Sequence, residues 1–205
     1  MKTAVLVAMA AVFGSVGWAA SIEAPAERTV TVCFEKNSAG ETADKAEIIA
    51  SKMFRAIGVT IEWRSGHRLC RIHQDDVIAL SLSTRTPHNL LPGALAYALP
   101  YEGIHIEVFY DRMTNADADL LPALLAHVLV HEITHILQGV NQHSKCGIMK
   151  AHWERDDYSH MDTKPLGFTD ADVNLIYRGL DARASHVAPG TRDAVNTAPE
   201  VVAAR

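Results

Sequence analysis

Along the chain the spacing of apolar positions switches between two periods. β-branched residues alternate over residues 28–36 (RTVTVCFEK), and that period of two predicts a strand. The spacing then lengthens: Ala46, Ile49, Ala50, Met53, Phe54 and Ile57 recur at helical intervals. A helix is predicted over residues 42–57, stopped by Gly58. Residues 59–64 and 75–83 read as strands, and residues 93–100 and 103–111 as a pair of strands around a turn at 100–103. From residue 119 to 138 apolar side chains surround most of the helical circumference, with Leu121, Leu124, Leu125, Val128, Leu129, Ile133, Ile136 and Leu137. A helix of that kind is buried. Pro122 fits only in its first turn, so the helix starts near Asp119, and Gly139 ends it. Residues 168–180 form a last predicted helix with Thr169 as N-cap.

The order is strand, helix, four strands, helix, irregular stretch, helix. This is an α+β layout with a mixed sheet against two helices. Residues 183–205 are rich in Ala, Pro, Gly and Thr and read as a flexible C-terminal tail. With no repeat and no linker composition inside, residues 21–182 form one domain.

Composition narrows the classes. Of 205 residues 48% are apolar and 21% charged, a globular balance, and the net charge of −5 argues against a nucleic-acid partner. Residues 1–20 (MKTAVLVAMAAVFGSVGWAA) have Lys2, an apolar run too short to span a bilayer, and small residues at the end. They read as a signal peptide, which implies a secreted or periplasmic protein without membrane attachment after cleavage. Three cysteines, Cys33, Cys70 and Cys146, allow one disulfide with one thiol left over, and Cys33 with Cys70 is the favoured pair.

The chemistry concentrates in "HEITHILQGVNQHSKCGIM", residues 131–149. On a helix His131 and His135 are one turn apart, nearly on one face, so both rings reach one ion. Glu132 points about 100° away. From there it is a poor ligand but can take a proton from a water on the metal. Catalytic zinc usually has three protein ligands and an open position. Gly139 lets the chain reverse and offer His143, and Gly147 allows a further turn that brings Met149 beneath the rings as an apolar floor. His152, Cys146 and Glu154 are rival third ligands. His67, His73, His88 and His105 show no ligand spacing.

This stretch resembles the metzincin metalloproteases, whose motif is HExxHxxGxxH followed by a Met-turn. Ser144 after the third histidine, and Ile148–Met149, are similar to the matrix-metalloprotease form. Here Gly139 comes four residues after His135 rather than three, and His143 eight after rather than six, so the loop is longer by two. The resemblance implies a zincin/metzincin-like α+β fold, with a mixed twisted sheet packed on two helices and a small C-terminal subdomain ending in a helix. It implies Zn2+ on His131, His135 and His143, Glu132 as general base, and Met149 in the Met-turn. Tyr158 is a candidate oxyanion donor, or else a surface residue. An edge strand above the zinc, either member of the 93–111 pair, would bind an extended substrate. The implied activity is zinc-dependent peptide-bond hydrolysis by an endopeptidase, through a Glu-activated zinc-bound water, with a peptide or protein as substrate. The alternative is an exported zinc-binding protein without protease activity. The sequence leaves the oligomeric state open.

Overall fold

The computed structural model describes residues 28–36, 39–66, 77–87, 92–99 and 104–187. The proposed leader, Cys70, the turn at 100–103, His67, His73, His88 and residues 188–205 of the tail lie outside these. Five strands form one sheet: β1 (Arg28–Glu35), β2 (Val59–Arg64), β3 (Ile78–Ser83), β4 (Ala96–Ala98) and β5 (His105–Phe109). Their order across the sheet is β2-β1-β3-β5-β4. The pairs β1–β2, β1–β3 and β3–β5 are parallel, and β4 runs antiparallel to β5 at the edge. The sheet is therefore mixed, as expected, and the strand pair read from residues 93–111 is its antiparallel edge.

The pleat sorts the side chains. Val30, Val32, Phe34, Ile78, Leu80, Leu82, Ile106 and Val108 are buried in the main core. The helices α1 (Gly40–Arg55) and α3 (Leu121–Gln138) contribute to the same core and pack on each other. Every residue of α3 from Ala123 to Gln138 is buried, as its all-round apolar pattern requires. Each large apolar side chain there contributes about 1.5–3 kcal/mol of burial. That offsets the cost of burying polar side chains on the same helix.

Four elements differ from the sequence reading. Helix α2 (Tyr110–Met113) is a single turn that follows β5 directly. Strand β4 is three residues long instead of eight: Gly93 turns at φ 83°, outside the extended region, and Ala96–Ala98 are the residues in register with β5. Asp156, Asp157 and His160, within the stretch read as irregular, belong to helix α4 (Arg155–His160). A capping box between Glu154 and Asp157 nucleates it, with acidic residues at its start and His160 at its end. Helix α5 (Asp170–Val187) extends past Leu180 into the stretch read as tail, since the Ala- and Arg-containing segment 181–185 favours helix. Thr169 caps α5 as predicted: its Oγ1 accepts the Asp172 N–H at 3.2 Å.

Helix α5 packs against α3. A Cβ on Gly179 would overlap the backbone carbonyl of Leu137, near the C-terminal end of α3. Gly179→Ala should therefore lower stability by about 1–3 kcal/mol through overpacking. Intrinsic helix propensity favours alanine by about 1 kcal/mol in the opposite direction. Urea unfolding of the two proteins checks this; a variant at least as stable as the parent would mean the helices part easily.

Candidate metal centre

His131, Glu132 and His135 sit on the last two turns of α3 and are fully buried. The helix ends at Gly139, whose φ of 65° is left-handed and reverses the chain. The following segment is closed by its own backbone. The Ser144 N–H donates to the Met149 carbonyl at 2.7 Å, and Gly147 turns at φ 76°. The Ile148 N–H donates to the Gly167 carbonyl at 2.9 Å. This folded loop returns His143 to the face of α3 that carries His131 and His135.

The donor atoms of His131, His135 and His143 all lie within 4.8 Å of one another. The His131–His135, His135–His143 and His131–His143 ring centroids are 4.7, 4.9 and 5.3 Å apart. Among the described residues this is the one cluster of metal-ligating side chains with such convergence. The rivals lie elsewhere: His152 and Glu154 are exposed, and Cys146 is an exposed free thiol. Glu154 serves as the cap of α4. Cys33 is disulfide-bonded.

The hydrogen bonds fix the tautomers. His131 Nδ1 lies 2.9 Å from the Ile148 carbonyl, and His135 Nδ1 lies 3.3 Å from that of Val140. A carbonyl only accepts, so each ring carries its proton on Nδ1 and presents a lone pair at Nε2. The two Nε2 atoms are 3.0 Å apart. Two lone pairs facing at that distance repel unless a cation lies between them. Nitrogens at about 2.0–2.1 Å from a tetrahedral zinc would be about 3.3–3.4 Å apart, close to the spacing present. His143 Nε2 is buried with no hydrogen-bond partner. A buried polar atom in that condition is costly and calls for a ligand. The donor set thus fits Zn2+.

Burial keeps the rings neutral. It pushes the His131 pKa down to about 4, opposed by the bond to Ile148. It pushes that of His135 down to about 2, with further lowering from the neighbouring His131 and His143. His143 is lowered by burial too. The unfolded chain binds protons at these rings near pH 6.5, and the fold refuses them. Stability of the metal-free protein is therefore unpenalised above about pH 6.5 and falls as the pH drops below it. Urea unfolding of metal-free protein between about pH 8 and about pH 5 should show that slope, and His135→Gln should make it shallower.

Met149 is fully buried in the core, in the turn that carries the Ile148 carbonyl to His131. Tyr158 is partly buried on α4, and burial raises its pKa. Its ring meets Trp153 edge-on at 6.4 Å, and Trp153 in turn meets His131 edge-on at 5.6 Å. Sequence reasoning missed three supporting residues. Trp153 is almost fully buried, and its Nε1–H donates to the same Ile148 carbonyl at 3.3 Å. His127, fully buried one turn before His131, donates from Nδ1 to the Ala123 carbonyl at 2.7 Å and accepts the Leu166 N–H at 3.0 Å. Asp172 accepts a hydrogen bond from Ser144. The helical spacing of His127 is visible in the sequence but carries no ligand logic. The other two act over sequence distances with no local signal.

No family model matches the chain, and none of the curated proteins does. Solved structures do. An archaemetzincin from Methanopyrus kandleri is similar at a TM-score of 0.50 and 14% identity, over 78% of this chain and 99% of that one. A zinc-dependent peptidase from Methanocorpusculum labreanum is similar at a TM-score of 0.53 and 12% identity, over 72% of this chain and 99% of that one. At such identities the likeness is one of fold: the chain has the mixed-sheet, zincin-like architecture of these two structures.

Proposed function

We propose that this chain is a zinc-dependent endopeptidase. The observation that carries the reading is the convergence of three neutral imidazole donors within 4.8 Å, beside a fully buried glutamate on the same helix. The fold shared with an archaemetzincin and a zinc-dependent peptidase supports it. A zinc ion held by His131, His135 and His143 would polarise a scissile carbonyl and ease loss of a proton from the attacking water.

Glu132 takes the proton from that water and delivers it to the leaving amine. Its burial beside the rings shields the transfer from bulk solvent and strengthens the electrostatics. The Ile148 and Val140 carbonyls hold the first two rings in the tautomer that donates from Nε2. Met149 closes the floor beneath them. Strand β4 packs on α3 and, among the described residues, pairs with the sheet on one side only, through β5. Its other edge suits an extended peptide added as a further strand. Tyr158 is the candidate donor to the oxyanion.

Residues 1–20 direct export, so the substrate is a peptide or protein met outside the cytoplasm. The disulfide at Cys33 supports an oxidising compartment. The test is metal analysis of the full chain, followed by digestion of a peptide library with and without a zinc chelator. About one zinc per chain is expected, with cleavage that chelation abolishes and added zinc restores. Bound zinc with no cleavage of any peptide would favour an exported zinc-binding module instead.

A further inference from the structure

We propose that Asp172 is a positioning residue of the metal centre: through Ser144 it fixes the loop that presents His143, and it sets a buried carboxylate behind a neutral donor set. This rests on the reading of His131, His135 and His143 as ligands. Asp172 lies on the first turn of α5 and is only 3% exposed. Its two oxygens divide their work. Oδ2 accepts the Thr169 N–H at 2.8 Å and the Thr169 hydroxyl at 2.7 Å, which completes the cap of α5. Oδ1 accepts the Ser144 hydroxyl at 2.5 Å, across 28 residues of sequence.

A helix cap alone explains neither the burial nor the second oxygen. Thr169 is satisfied by Oδ2 without Oδ1, as a capping box requires. Ser144 is the residue after His143. Its N–H is held by the Met149 carbonyl at 2.7 Å and its hydroxyl by Asp172, so its backbone and side chain are both fixed. The His143 ring itself has no hydrogen bond at Nε2. His131 and His135 each have a carbonyl to orient them; for His143 the fixed neighbour takes that place. From the same turn of α5, the Asp172 backbone carbonyl accepts Gln138 Nε2–H at 3.4 Å, which ties the end of α3 to it. Three neutral imidazoles bring no charge to compensate a dication, and a buried carboxylate hydrogen-bonded to the residue after His143 supplies one.

The experiment uses the full chain with Ser144→Ala, Ser144→Thr, Asp172→Asn and the Ser144→Ala/Asp172→Asn pair. Zinc affinity is measured by competition with a chromophoric chelator, and geometry by the visible absorption of the Co2+ form. Ser144→Ala and Asp172→Asn should each weaken zinc binding about 10- to 100-fold. Ser144→Thr should restore the affinity, and Ser144→Ala should shift the Co2+ bands while metal-free stability stays near the parent's. The pair should lose no more than Asp172→Asn alone, since both act through one link. Parent-like zinc affinity and Co2+ spectrum in Ser144→Ala would overturn the proposal, as would fully additive losses in the pair. If Asp172→Asn does not fold, Ser144→Ala and its threonine rescue decide alone. A parent chain that holds no zinc removes the peptidase reading itself. A zinc-binding parent with an unaffected Ser144→Ala removes only the role of Asp172.

Discussion

Glu132→Gln should keep the metal and lose peptide hydrolysis by about 10²- to 10⁴-fold, the range a positioned general base supplies. The substitution is nearly isosteric, so the packing of a fully buried side chain on α3 survives. The three imidazole donors are untouched, so zinc content should stay at the parent's level. What disappears is the ability to accept a proton, because an amide cannot act as a base near neutral pH. Zinc analysis and library digestion on the same preparation separate the two effects. A Glu132→Gln protein that cleaves at the parent's rate would remove Glu132 from the chemistry. Loss of both zinc and activity would mean the carboxylate supports the metal rather than the proton transfer.

His143→Ala should weaken zinc binding by more than about 100-fold, beyond the loss usual for a group that only supports a ligand. The reason is the donor count: His131 and His135 alone leave two positions of a tetrahedral ion without protein. Metal-free stability should change little, about 0.5 kcal/mol, because the His143 ring is only partly buried and its Nε2 forms no hydrogen bond that the change would break. Chelator competition and urea unfolding measure the two quantities. Stoichiometric zinc retained at parent affinity would assign the third position to another donor. His152, Cys146 and Glu154 would then need the loop to refold, since all three face solvent.

Glu132 and His143 are placed by contacts of different range along the chain. The role of Glu132 follows from three residues on one helix, whose relative directions are set by about 100° per residue. The role of His143 depends on a loop that leaves the helix just after His135 and must come back. Gly139 and Gly147 announce the two reversals in the sequence, and both have positive φ. Where the reversed chain lands is not legible there, because it depends on contacts with Gly167, Asp172 and α5. A Cβ at Gly147 would overlap the Gly167 carbonyl, so that glycine is needed for close approach as well as for its φ.

Local periodicity by itself determined the presence of the five strands, the long buried helix, the helix on either side of it and the His131–Glu132–His135 arrangement. Those follow from the fixed geometry of strand and helix, which any local segment expresses. Only the tertiary structure decided the parallel order of the sheet, helix α4, the full length of α5, the position of His143 and the ties of Trp153 and Asp172. Most of these are pairings between segments far apart in sequence, and their energy comes from burial and hydrogen bonds that exist only once the chain has closed on itself.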